Sequence, residues 1–445
     1  MHRRAGPAWP IHRTRASPEP FMLRLSTLQA KPGMCLAMPI YHPKQGSTIL
    51  LRAGAVLQDK VIQRLREFNV PEMWIVYPEL GQVANCISQE VNHARAETMQ
   101  VLSDAFNDVR PEMGARLDYR VFRKAIVDLV DSLIRNPRAT LLLEDMNGCA
   151  HPPLQHSANV AFISLLIGLK LDFYLEHQRQ RLDPLRAREV SSLGLGALLH
   201  DVGAMDLEPD IIEEYLRTGD EYGPNYRRHV LDGFERVRGH VDPTAATVVL
   251  HHHQHFDGTG YPARESGIGI HTPRGTEIHV FARIVAAADK FDSLRHPPHP
   301  VDAPEVEAMP TVRALRLLGQ SPYREMIDPV IYLGLLAVVP PYPPGSTVEL
   351  SNGVMGVVTR WNPADPCRPV VREIGDLEHP DQFAPGVEFD LAEQPELVVV
   401  KAQGQDVADD NFFPTEATRF DLHGVARALI NRAADQSGGE TRRAG

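Results

Sequence analysis

Hydrophobic and polar positions change rhythm three times along this chain. From Leu23 to Leu80, short apolar runs flank a helical one. GSTILLRAG predicts a strand ending in a glycine turn, LQDKVIQRLREFN an amphipathic helix, and EMWIVY a second strand. Residues 22–90 should therefore form a small α+β module. It holds no cluster of titratable residues, which suits a regulatory or packing role. From Glu90 to Val109 the chain is polar, with Val91, Met99, Val101, Leu102 and Phe106 spaced for a helix, so 91–116 reads as a connecting helix.

Helical periodicity then dominates 117–342. VFRKAIVDLVDSLIRN places Ile126, Leu129, Val130 and Leu133 on one face, as a core-facing helix does. HSANVAFISLLIGLKL is apolar almost all round and predicts a buried helix, with His156 at its N-terminal end. In REVSSLGLGALLHD, the small residues Gly194, Gly196 and Ala197 permit close helix approach just before His200. Pro243 fits the first turn of a helix leading into HHHQH, and Asp257-Gly258 is the expected break of that helix. Beyond Tyr342 the period becomes two. TVELSNGVMGVVTRW carries a hairpin signal at Asn352-Gly353, and PVVREI and PELVVV add strands, so 343–403 should be a small β-rich module. Residues 1–21 and most of 404–445 read as disordered tails, with Met22 a second candidate start. The fold class expected is mainly α, a helical core between an α+β and a β module.

Composition narrows the partners. A formal net charge of -11 argues against a nucleic-acid polymer. The longest apolar run, Val160 to Leu169, falls short of the roughly 20 residues a bilayer span needs. The four cysteines, Cys35, Cys86, Cys149 and Cys367, show no CxxC spacing, which fits free thiols in a reduced cytoplasm better than a disulfide framework.

Candidate chemistry concentrates in VVLHHHQHFDGTGYP, with four histidines at His251, His252, His253 and His255. Upstream, GALLHDVG ends an apolar helix on His200-Asp201; downstream, Asp289 interrupts the apolar run IVAAA, and Asp292 follows three residues later. A lone His-Asp pair means little, and HHHQH alone suits a surface tract. The set carries more weight, because burying imidazole and carboxylate together is costly unless something binds them. Consecutive His252 and His253 sit about 100° apart on a helix, so both reach one ion only near the helix end.

The order H…HD…H…HH…DGxGYP…D, with RIVAAADKFDSL after it, resembles the HD-GYP family, bacterial phosphodiesterases of cyclic di-GMP within the HD metal-phosphohydrolase superfamily. The resemblance covers about 117–342 and implies a dinuclear site. His156, His200, Asp201 and Asp289 would hold one metal. Asp201 would bridge to a second, completed by His229, His252 and His253. It further implies hydrolysis to linear pGpG, or onward to GMP, with His200 and Asp201 at the reacting centre. Arg283 would contact phosphate, Asp257, Gly258, Gly260, Tyr261 and Pro262 would shape the substrate pocket, and Gln254 and Asp292 would stand behind the ligands. Imidazole and carboxylate donors without thiolate favour two divalent iron or manganese ions. Expected partners are cyclic di-GMP, diguanylate cyclases (GGDEF) or other signalling proteins, and a second copy in a homodimer. Three departures matter. Gln254 replaces the glutamate of HHE, Ala204 the lysine of HDxGK, and Pro152 the glutamate of members with a third metal. The first two keep open a second reading, a catalytically weakened cyclic di-GMP sensor.

Overall fold

A computed structural model describes residues 22–27, 30–42, 45–68, 70, 72–76, 89–109, 118–136, 152–266, 269–300, 308–374 and 386–414. The N-terminal module contains β1 (Met22–Ser26), β2 (Ile40–His42), β3 (Gln45–Leu51), α1 (Asp59–Glu67) and β4 (Glu72–Val76). β1 pairs antiparallel with β4, and β2 with β3. Asp59 opens α1 while Arg64 and Arg66 close it, charges that complement the helix dipole. Its buried Ile62 and Leu65 join Leu23, Leu25, Met34, Leu36 and Ile75 in one core.

The helical domain begins with α2 (Gln89–Val109) and α3 (Tyr119–Arg135). Asp118 caps α3 by accepting from the Arg120 amide, and Phe122, Ile126, Leu129, Val130 and Leu133 form its buried stripe. Next come α4 (Pro152–Lys170), α5 (Asp172–Gln178), α6 (Pro184–Arg188), α7 (Ser191–Leu198) and α8 (Pro209–Thr218). α9 (His229–Val237) and α10 (Pro243–His251) follow; Asp242 caps α10 through the Thr244 and Ala245 amides. After the β5–β6 hairpin (Arg264–Ser266, Gly269–His271) comes α11 (Val280–Arg295), buried along most of its length. The domain closes with α12 (Thr311–Leu318), α13 (Tyr323–Met326) and α14 (Pro329–Leu336). α4, α7, α10 and α11 pack on one another around Val160, Leu165, Leu195, Val248, Ile284 and Ala288. These four helices bring the candidate residues together. α10 ends at His251, well before Asp257-Gly258, so the expected helix break falls too late in the chain.

The C-terminal sheet runs β7 (Thr347–Leu350), β8 (Met355–Arg360), β9 (Val370–Glu373), β10 (Glu388–Asp390), β11 (Val399–Ala402) and β12 (Gln405–Asp406). Its spatial order is β10-β9-β8-β7-β11-β12, antiparallel throughout. Asn352-Gly353 does turn the chain between β7 and β8, with Gly353 at φ 81°. Two features depart from the sequence reading. Residues 404–414 are structured: β12 extends the sheet, and buried Asp410 receives Arg313 and Arg316 from α12. In addition, Val357 and Ile374 bury into the N-terminal module's core, so the two flanking modules meet. Among the described residues no single helix is long and apolar enough to cross a membrane.

Candidate metal centre

His200 and Asp201 lie just past the C-terminus of α7, where a helix leaves carbonyls without partners. The His200 ring takes one of them: Nδ1 sits 2.8 Å from the Ala197 carbonyl. His252, just past α10, does the same with Val249 at 2.8 Å, and His229 with Tyr226 at 2.7 Å. A carbonyl only accepts, so each Nδ1 carries a proton and each Nε2 presents a lone pair. Three imidazoles are thus held in one tautomer by the carbonyl three residues earlier. His156, in the second turn of α4, is oriented by a carboxylate instead: its Nδ1 lies 2.8 Å from Asp292 Oδ2. Asp292 is itself fixed by Asn159, at 3.0 Å. Backing a ligand imidazole with a hydrogen-bonded carboxylate is a common way of setting its tautomer and basicity.

The free ring nitrogens converge in two groups. His156, His200 and Asp289 form one; Asp201, His229, His252 and His253 form the other, each with its candidate ligand atoms within 4.8 Å of one another. Asp201 stands between them. Its Oδ2 is 3.2 Å from His200 Nε2 and 4.0 Å from His156 Nε2. Its Oδ1 is 3.4 Å from His229 Nε2 and 3.5 Å from His252 Nε2. The sequence-predicted ligands therefore come together as two sets sharing one carboxylate.

The donor set fits a cation. His229 and His252 Nε2 approach to 3.2 Å, yet both are lone-pair atoms when their Nδ1 protons serve carbonyls. Asp201 Oδ1 and His200 Nε2 are buried without a hydrogen-bond partner. Acceptors facing acceptors repel unless a positive charge lies between them. Burial lowers His229 to about 4 and pushes His253 well down, which keeps both neutral and available as ligands near pH 7. Burial alone would raise Asp289, but the His156 hydrogen bond and charge outweigh it and hold the carboxyl at about 2.

Glycines let these parts close up. A Cβ on Gly203 would stand 2.0 Å from the His229 carbonyl, so only glycine lets the turn after Asp201 pass beneath α9. A Cβ on Gly260 would stand 2.3 Å from the His253 carbonyl and 2.4 Å from the His255 amide. The DGTGYP loop folds back there, and the Tyr261 amide donates to His253 O at 3.0 Å.

The loop packs against His253 and its neighbours. Tyr261 is buried, stacks on His253 with ring centroids 4.7 Å apart, and donates its hydroxyl to the Glu221 carbonyl at 3.0 Å. The Pro262 carbonyl accepts from Gln254 Nε2 at 2.6 Å. Asp257 uses Oδ1 on the Thr259 amide and hydroxyl, a local turn with Gly258 at φ 88°. Asp257, Gly258, Gly260, Tyr261 and Pro262 therefore build a clip that seats His253. His251 and His255 lie outside both groups. His251 faces Arg264, and His255 sits between Tyr222 and Thr259.

Arg283 lies in a buried ion pair. Its guanidinium is buried, paired with Asp328, and donates to Ile278 O and the Tyr174 hydroxyl, both at 3.0 Å. It joins α11 to Tyr174 of α5 and to Asp328 at the start of α14. Sequence reasoning also missed Glu221 and Lys290. Lys290 pairs with Glu221, and Glu221 Oε2 lies 3.8 Å from His253 Nδ1. The one signal for Lys290 was its place directly after Asp289.

Family comparison agrees with this geometry. The model for the HD domain matches residues 154–294, and that for a KOW domain associated with HD domain matches 347–410. The chain is 27% identical over 336 residues, 69% of its length and 74% of the relative's, to a Pseudomonas aeruginosa protein named cyclic di-GMP phosphodiesterase. It is 31% identical over 113 residues, 25% of this chain and 28% of the other, to a cyclic di-GMP phosphodiesterase response regulator of Xanthomonas campestris pv. campestris. A 3'3'-cGAMP-specific phosphodiesterase of Vibrio cholerae is 24% identical over 258 residues, 53% of this chain and 52% of its own. Fold and site together define an HD-domain protein. Residues 154–294 match the HD domain, and DGTGYP after the histidine pair is the feature by which the chain resembles the HD-GYP family.

Proposed function

We propose that this protein is a metal-dependent phosphodiesterase that opens cyclic di-GMP to linear pGpG and, more slowly, to GMP. The observation that carries the reading is Asp201, whose two oxygens face two separate ligand groups. His156, His200, Asp201 and Asp289 would hold one divalent ion, and Asp201, His229, His252 and His253 the other. The nitrogen and carboxylate donors suit iron or manganese. Bound there, such a pair supplies Lewis-acid stabilisation of phosphoryl oxygens and a water of lowered pKa. The chain's own residues set the geometry. Asp201 fixes the separation of the two groups, the helix-end carbonyls and Asp292 aim the imidazoles, and Tyr261 covers the His253 face against water. The setting is cytoplasmic second-messenger signalling, alongside the diguanylate cyclases that make the substrate.

A second reading is favoured by Ala204 and Gln254, which replace a lysine and a glutamate of the family motif. In that reading the protein binds cyclic di-GMP and metal but signals through a partner. Incubating iron- or manganese-loaded protein with cyclic di-GMP and separating the products tests the choice. We expect slow accumulation of linear dinucleotide. Tight cyclic di-GMP binding and two metal equivalents, with no linear product after long incubation, would establish the sensor.

A further inference from the structure

A phosphodiester substrate brings negative charge to a site whose own carboxylates are already negative, and Ala204 offers no cation to meet it. Lys290 places an ammonium close to the site through Glu221. It follows Asp289 on α11, and its side chain is about nine-tenths buried, at 13% exposure. Its partner, Glu221, lies in the loop between α8 and α9. That carboxylate reaches His253 Nδ1 at 3.8 Å with its other oxygen. The ammonium therefore stands one carboxylate away from the second ligand group and one residue from the first. The same edge carries a second cation. Arg227 lies 5.1 Å over the Tyr261 ring and 5.5 Å over Tyr222, and it pairs with no carboxylate among the described residues.

Resting on the phosphodiesterase reading, we propose that Lys290 is the phosphate-binding cation of this site, held by Glu221 until substrate arrives and then exchanged onto a phosphoryl oxygen. Glu221 acts as the competing anion. It keeps the ammonium folded over His253 in the free protein, and the incoming phosphate must displace it. An ammonium already desolvated by its surroundings gains a charge-assisted hydrogen bond to phosphate at low ordering cost.

The alternative is a purely structural clasp tying the α8–α9 loop to α11. The two roles predict opposite behaviour for the two partners. Metal-loaded wild type, Lys290→Met, Lys290→Arg and Glu221→Gln are compared for cyclic di-GMP affinity by calorimetry, with metal content and thermal midpoint measured in parallel. We expect Lys290→Met to weaken binding about 10- to 100-fold at unchanged metal content, a loss typical of one charge-assisted hydrogen bond. Lys290→Arg should restore most of it, and Glu221→Gln should bind as tightly as wild type or tighter. Weakening of equal size in Lys290→Met and Glu221→Gln would mean a clasp and overturn the proposal, as would wild-type affinity in Lys290→Met. If Lys290→Met does not fold, Glu221→Gln still decides: affinity at or above wild type at unchanged metal content supports the exchange, and weaker binding would mean a clasp. Failure of the phosphodiesterase reading looks different: metal-loaded wild type itself would neither bind nor cleave cyclic di-GMP, and both proposals would fall.

Discussion

At the residue scale, Asp201 is the side chain among the described residues that faces both ligand groups with one carboxylate. Asp201→Ala should leave well under one equivalent of transition metal after reconstitution, measured by elemental analysis. Loss confined to one site would refute the bridge. Asp292 acts through His156, so Asp292→Asn should keep the fold and weaken metal binding about 10- to 100-fold in a competition titration. These residues were legible in the sequence because carboxylates and imidazoles in apolar helix ends are conspicuous. The Asp328 partner of Arg283 was not legible, because an arginine on a helix looks the same whether it meets a phosphate or an aspartate 45 residues away. Its pair with Asp328 is almost fully buried, and removing one partner strands a charge. Arg283→Met should cost about 3–5 kcal/mol in denaturant unfolding. At temperatures where the variant stays folded, its affinity for cyclic di-GMP should be unchanged.

At the scale of elements, the site is a set of helix ends. α7 and α10 each stop one or two residues short of a ligand, and their last carbonyls orient the rings that follow. Periodicity located these helices well, since their apolar faces are continuous. It did not show where α10 stops, because HHHQH has no breaker and the end is imposed by the turn that DGTGYP folds back upon. Nor did it show why Gly203 is required, since the atom it avoids belongs to His229 on another helix. Gly203→Ala should force the 202–206 turn away from α9. We expect a loss of about 1–3 kcal/mol in unfolding, the usual cost of overpacking. Metal content should fall with it, because Asp201 moves relative to His229. Wild-type stability together with full metal loading would show that the turn tolerates a methyl group.

At the scale of the whole molecule, the flanking modules are distant in sequence and joined in space. β8 is buried on both faces. Val357 enters the core built from β1, β4 and α1, while neighbouring Val358 enters the core of the C-terminal sheet with Val348 and Val371. Strand alternation alone predicts this two-faced burial, yet a run such as GVVTR does not say which element covers its second face. The long separation hid the partner, and the two modules looked independent. The shared core joins them, and Trp74 on β4, buried in that core, reports on it. In a background with Trp9→Phe and Trp361→Phe, Val357→Ala should remove two buried methyl groups' worth of packing, about 2 kcal/mol. The Trp74 unfolding transition should move to lower denaturant by that amount, although the substitution lies in the C-terminal sheet. A Trp74 transition that stays in place while the rest of the chain loses stability would separate the modules. Coupling between the N-terminal module and the helical domain would then run through α2, which packs on both β3 and α4.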